Sequence, residues 1–129
     1  MLTGVATGVA VAALSPVLPV LFAQDPGVRR AATAALLVAA AGQPLAAWVF
    51  VLDGVLIGAG DGRYLAVAGA AVLAVYLPVA AAVRWLAPGG TVGLVLLWCA
   101  FAGGLMGARA VTVALRARSG AWLVTGATR

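Results

Sequence analysis

Long apolar stretches, separated by short polar or turn-forming segments, run through the whole chain. Reading between the charges and the turn residues gives four such stretches, at residues 3–23, 31–58, 64–87 and 91–115. Each is long enough to provide the ~20 residues that cross a hydrocarbon core about 30 Å thick. We therefore predict an all-α integral membrane protein. Residues 1–129 are expected to form one membrane segment with four transmembrane helices and a cytoplasmic tail at 116–129.

The composition agrees with a membrane location, because 65% of the residues are hydrophobic, 9% are charged and the mean hydropathy is +1.17. All eight basic residues are arginines, and they are spread over loops, helix ends and the tail without forming a basic face. A net charge of +5 in that arrangement indicates the flanks of membrane spans and not a nucleic-acid surface. We expect the lipid bilayer as a partner, no nucleic acid, no enzymatic activity and no cofactor.

Five residues are predicted to act as helix caps or kinks: Asp25, Pro26, Pro44, Asp61 and Pro78. An acidic N-cap followed by proline at the first helical position is a helix start, which is the pattern at residues 25–26. Pro44 has no N–H to give the Ala40 carbonyl, so it is expected to bend the second span. Asp61 follows a glycine-rich turn and is expected to cap the helix that begins near Tyr64.

Two Gly-x-x-x-Gly patterns predict close helix packing, since glycine lets helix backbones approach each other. One pairs Gly4 with Gly8 in the first span, and the other pairs Gly103 with Gly107 in the fourth. The first span also carries Ser-Pro at residues 15–16, which predicts a kinked helix.

The arginines suggest an orientation. If the chain crosses the membrane four times, four arginines lie on the side of the termini: Arg63, Arg116, Arg118 and Arg129. Three lie on the opposite side: Arg29, Arg30 and Arg84. Arg109, near the end of the fourth span, is expected to snorkel toward the side of the termini. The positive-inside rule then predicts a multi-pass plasma-membrane protein with both termini in the cytoplasm.

Asp53 lies within an apolar run, between residues 46–52 and 54–59. An ionisable side chain in a membrane span costs about 2.5–3.5 kcal/mol on insertion scales and usually serves ion or substrate handling. Two interpretations stay open. Asp53 is structural, capping a helix that restarts at Gly54 or pairing with an arginine of a neighbouring helix, or its carboxylate alternates between a charged form and a protonated or cation-bound form. Three mid-span residues are weaker candidates for lining a cavity: Gln43, Trp48 and Tyr76.

Residues 21–28, 43–45 and 50–64 resemble the multidrug and toxic compound extrusion (MATE) transporters, most closely their DinF branch. The pattern Gln-Pro-Leu, followed by Phe-Val-x-Asp-Gly-x-Leu-Ile-Gly-Ala-Gly-Asp-x-Arg-Tyr, is typical of the tenth of twelve helices in that family. The resemblance implies a C-terminal fragment covering helices nine to twelve, a partial C-terminal lobe that is inactive alone. It also implies coupling of H⁺ or Na⁺ at Asp53, and no other metal site is expected.

By the same resemblance, the function is the C-terminal part of a cation-coupled multidrug antiporter. Its partners would be hydrophobic cationic small molecules and either the missing N-terminal portion or a partner membrane chain. Two other functions are weighed beside it. One is a complete four-helix exporter acting as a dimer, like the small multidrug resistance proteins, and the other is a non-transporting membrane subunit that packs through its Gly-x-x-x-Gly faces.

Overall fold

The structure is a computed structural model that describes residues 2–123. That part of the chain contains α1 Leu2–Leu14, α2 Leu18–Phe22, α3 Pro26–Gly58, α4 Gly62–Leu86, α5 Gly90–Cys99, a π-helical segment Ala100–Leu105 and α6 Met106–Ser119. No strand occurs within residues 2–123. The prediction of an all-α fold is confirmed.

Three continuous helical runs are long and apolar enough to cross a membrane: Pro26–Gly58, Gly62–Leu86 and Gly90–Ser119. The last of them is formed by α5, the π-helical segment and α6 without a break. α1 is a shorter apolar helix of 13 residues, which rises roughly 20 Å at 1.5 Å per residue. The run Gly90–Ser119 includes the first residues of the predicted tail at 116–129, while residues 124–129 lie outside the described part.

The first predicted span, residues 3–23, is two helices and not one kinked helix. α1 ends before a turn at residues 15–17, and α2 starts after it. Pro16 lacks the N–H that a continuous helix requires at that point. The hydroxyl of Thr33 on α3 lies 3.1 Å from the Ser15 carbonyl oxygen and 2.9 Å from the Arg29 carbonyl oxygen of its own helix, so the interrupted backbone shares this donor with α3.

α1 crosses α3 at closely packed glycines. A Cβ added to Gly4 would lie 2.5 Å from the Ala47 Cβ, and one added to Gly8 would lie 2.7 Å from the Ala40 carbonyl oxygen. Such distances are too short for any side chain, so the predicted packing face of α1 is confirmed. The Ala40 carbonyl is the one that Pro44 leaves without a helical N–H donor. Because Gly8 has no side chain, the α1 backbone lies close to this carbonyl oxygen of α3.

The second predicted packing face, at Gly103 and Gly107, contacts no other helix in the part of the chain that the structure describes, so its role in packing stays a prediction. Apart from the backbone of their own helix, no atom there lies within 4 Å of a Cβ added to either glycine. The π-helical segment changes the helical register at this point, and it is Ala102 that contacts α3 instead, with its Cβ 3.3 Å from a Cβ added to Gly42.

The most buried apolar cluster joins α3, α4 and α6 through Leu56, Leu65 and Val113. Leu56 and Val113 are fully buried. The partly buried Leu52, on the turn of α3 before Leu56, packs against the same cluster. These contacts bring the polar residues near the end of α3 within reach of those on α6.

Candidate functional site

Asp53 on α3 forms an ion pair with Arg109 on α6. Nη2 of Arg109 donates to Oδ1 of Asp53 at 3.0 Å, and Nε donates to Oδ2 at a longer 3.4 Å. α3 is continuous through residue 54, so Asp53 caps no helix there. Val49 and Leu56, one helical turn before and after Asp53, are buried, which turns the carboxylate toward α4 and α6.

The guanidinium of Arg109 has a second partner on α4. Its Nη1 donates to the Leu65 carbonyl oxygen at 3.0 Å. A Cβ added to Gly69 would lie only 3.3 Å from the same Nη1. Gly69 follows Leu65 by one helical turn. Because Gly69 has no side chain, the Arg109 guanidinium has room to reach the Leu65 carbonyl, which is part of the α4 backbone.

The ion pair lines an open cavity of ≈ 290 Å³ between α3, α4 and the π–α6 run. Its walls are apolar apart from the ion pair: Val49, Phe50, Gly69, Val72, Leu73, Leu105 and Met106. Arg109 and Asp53 are the charged residues of this lining, with side chains 16% and 19% exposed. The carboxylate is thus largely surrounded by protein and borders this cavity.

A second ion pair joins the start of α4 to the end of α6. Nε and Nη2 of Arg116 donate to Oδ2 and Oδ1 of Asp61 at 2.5 and 3.0 Å. The Arg116 guanidinium also lies 4.7 Å from the centre of the Tyr64 ring, and the Tyr64 hydroxyl donates to the Thr112 carbonyl at 2.9 Å. Hydrogen bonds from Arg116 lower the pKa of the Asp61 carboxyl, against the opposing effect of its partial burial.

Comparison with known protein families identifies the family of this chain. The MatE family model matches residues 1–82, which is 82 of the 129 residues. The chain belongs to the MatE family. No curated protein and no solved structure matches it. Members of this family are efflux transporters and not enzymes, so the chain belongs to a family of membrane transport proteins. Asp53 and Asp61 lie inside the matched region, while Arg109 and Arg116 lie beyond it.

None of the three weaker cavity candidates of this MatE chain is among the residues that line the cavity at the ion pair. Tyr76 lines a separate apolar groove of ≈ 260 Å³ with Leu97, Trp98 and Phe101. Its ring meets Phe101 edge to face, 6.3 Å between centroids. Gln43 packs beneath α1, its Cβ 3.4 Å from a Cβ added to Gly8. Trp48 is half-buried on α3. A role of any of the three in a transport cavity stays a prediction.

The predicted cap and kink residues differ in what they do. Asp25 is the N-cap of α3, where its Oδ1 accepts from the Val28 N–H at 2.8 Å, with Pro26 in the first turn. Pro44 and Pro78 lie inside α3 and α4, which continue past them. Asp61 occupies the N-cap position of α4 but makes no side-chain cap bond. Its carboxylate binds Arg116 instead, because that guanidinium offers a charged double donor.

An ion pair between Asp53 and an arginine of a neighbouring helix was one of the two interpretations left open by the sequence, but Arg109 was not identified as that arginine. Its position near the predicted end of the fourth span suggested snorkelling, whereas α6 continues ten residues further, to Ser119. One part of the spacing carried a signal, because Arg109 and Arg116 are seven residues apart and so share one face of α6. The eight residues from Asp53 to Asp61 include the end of α3 and the turn after it, so they give no such register.

Proposed function

We propose that this chain is part of a cation-coupled multidrug antiporter and that Asp53 is its coupling carboxylate, for H⁺ or Na⁺. The observation that carries the proposal is a carboxylate within an apolar helix long enough to cross a membrane, which is ion-paired with Arg109 and lines an open cavity. A structural ion pair gains nothing from such access. A coupling site needs it, because the ion must enter and leave.

The physical argument rests on charge balance in an apolar layer. Counting back from Ala59 after the end of α3, Asp53 lies six residues in, or ~9 Å along the helix axis. A carboxylate at that depth is costly unless it is paired, protonated or bound to a cation. Export of a hydrophobic cation can be driven if these forms alternate as the site opens to one side and then to the other.

The rest of the proposal follows from the family. The chain is proposed to be a DinF-like C-terminal part, equivalent to helices nine to twelve, in the inner membrane. The other helices would come from an N-terminal portion or a partner membrane chain, since alternating access needs two units that move about a shared site. The substrates would be hydrophobic cationic small molecules, which suit an apolar cavity with a carboxylate.

The decisive experiment is Asp53→Asn in the transporter assembled with its preceding helices, in cells that lack other exporters. Asparagine keeps size and hydrogen bonding but removes the charge, so ion-driven ethidium efflux should be lost at normal membrane levels. Asp61→Asn is the matched control and should be much milder. Efflux by Asp53→Asn equal to that of the parent at several pH values and sodium concentrations would show that Asp53 is not the coupling group.

The same assay separates the two alternatives. The 129-residue chain expressed alone should insert into the membrane and export no ethidium. Export by the isolated chain would favour a four-helix exporter acting as a dimer. Undiminished export by Asp53→Asn in an assembly that requires this chain would favour a purely structural subunit.

Orientation is tested by cysteine labelling. Cys99 is exposed, so it is first replaced by alanine. A cysteine at Gln24 should then react with an impermeant reagent from outside the cell, and cysteines at Gly62 and Ser119 only from inside. All three positions are exposed, and no atom lies within 4 Å of a Cβ added to Gly62. Reversed labelling would contradict cytoplasmic termini.

A further inference from the structure

We propose that Arg109 is a tethered cation that occupies Asp53 and competes with the coupling ion, and that the Leu65 carbonyl holds the guanidinium when the ion displaces it. This inference rests on the coupling role proposed for Asp53. It assigns Arg109 as a positioning residue that sets how much cation is needed to drive transport.

The first support is the asymmetry of the ion pair. Only the contact between Nη2 of Arg109 and Oδ1 of Asp53 is short, at 3.0 Å, and Oδ2 is held at 3.4 Å. The second oxygen therefore has a weak donor. Since the pair lines the open cavity, a small cation can approach the carboxylate without first breaking the stronger bond.

The second support is that Arg109 keeps a partner when Asp53 is neutralised. Nη1 donates to the Leu65 carbonyl at 3.0 Å, a bond that does not depend on Asp53. A charged guanidinium left without any acceptor in the membrane would be expensive. The Leu65 carbonyl lowers that cost, and Gly69 leaves the space in which the guanidinium can stay.

Displacing Arg109 from Asp53 would weaken the contact between α3 and α6 and leave the contacts between α4 and α6 in place. Arg109 stays attached to α4 through Leu65, and two further contacts hold α6 to α4, the Asp61–Arg116 pair and the bond from Tyr64 to Thr112. The Asp53 pair is the ionic contact between α3 and α6 among the described residues. Cation binding would thus loosen α3 from α6 while α4 and α6 stay joined.

The test uses the full 129-residue chain in lipid nanodiscs with aspartate carrying ¹³C in its carboxyl group. The chain has three acidic residues, Asp25, Asp53 and Asp61, so three side-chain carboxyl signals are assigned by single Asp→Asn changes. The Asp53 signal is followed against Na⁺ at fixed pH and against pH at fixed Na⁺. The two series distinguish Na⁺ from H⁺ as the competing ion.

Arg109→Gln removes the tethered cation, so the coupling ion should half-occupy Asp53 at a concentration lower by about tenfold or more. Gly69→Ala keeps Arg109 but crowds the place at Leu65 that the displaced guanidinium would occupy, so the coupling ion should half-occupy Asp53 only at a higher concentration than in the parent. Arg109→Lys keeps the charge but cannot reproduce the three separate guanidinium contacts, so its shift should be smaller than that of Arg109→Gln. Arg116→Gln is the matched control and should move the Asp61 signal alone.

An unchanged cation dependence of Asp53 in Arg109→Gln would overturn the inference. If that variant fails to insert, Gly69→Ala and Arg109→Lys decide, and no shift in either has the same meaning. Failure of the underlying function is distinguishable. Normal efflux by Asp53→Asn removes the coupling role itself, whereas lost efflux by Asp53→Asn with an unshifted Arg109→Gln removes only the role of Arg109.

Discussion

Within residues 2–123, two ion pairs each join an aspartate to an arginine, but they differ in geometry and in their place in the fold. Asp61 receives two short bonds from Arg116, whose guanidinium also lies against the Tyr64 ring. Asp53 receives one short and one long bond from Arg109 and borders an open cavity. The first pair resembles a structural tie at a helix end. The second is a carboxylate within an apolar helix, with one contact longer than the other, and the proposed competition by a cation depends on that difference.

The location of each pair explains the difference. Asp61 lies in the turn between α3 and α4, outside the apolar helices, where a charge costs less than within a membrane span, although its side chain is 13% exposed against 19% for Asp53. Asp53 lies within α3 among apolar residues, where an unpaired charge is expensive. The same chemical change should therefore have unequal effects at the two sites.

The largest effect is expected from Arg109→Ala, which leaves Asp53 without its cation. Removing one partner of an ion pair held largely out of water costs about 3 kcal/mol, and unfolding in mixed micelles, followed by helicity, should show it. Arg109→Gln combined with Asp53→Asn removes both charges and should recover most of that loss. A loss no greater than that of Arg116→Ala would contradict the contrast between the two sites.

A smaller, pH-dependent effect is expected at the second pair. The pKa of Asp61 is lowered in the folded protein by Arg116, so the pair stabilises the fold above the unfolded carboxyl's pKa. That contribution is lost as the pH falls through the lowered pKa of the folded state. Unfolding measured at a series of acidic pH values should show this loss in the parent and not in Arg116→Gln. Identical acid profiles would mean that the pair does not stabilise the fold.

The smallest effect is expected from Tyr64→Phe. The change removes the hydroxyl that donates to the Thr112 carbonyl but keeps the ring beside Arg116. One hydrogen bond contributes about 1 kcal/mol, so stability in mixed micelles should fall by that amount. Tyr64→Leu removes ring and hydroxyl together and should cost more. Equal losses in the two variants would show that the ring adds nothing to the pair.

Much of the fold could be predicted from local sequence. The three long helical runs lie where hydropathy places them, because a long apolar segment has to satisfy its backbone hydrogen bonds within itself in lipid. The start of α3 follows from Asp25 and Pro26, which act within one helical turn. The break after α1 was predicted only as a kink. Whether Pro16 bends or ends a helix depends on partners such as Thr33, which come from another helix.

The sequence by itself determined that Asp53 is unusual, because its position within a long apolar run can be read without knowing the fold, and an ionisable residue is rare in such a run. Only the tertiary structure decided what holds it. Arg109 is 56 residues away, and its pairing depends on how α6 is aligned along α3 and α4 and on the space at Gly69. Helix alignment is set by packing contacts such as Leu56, Leu65 and Val113, and no local pattern of residues specifies it.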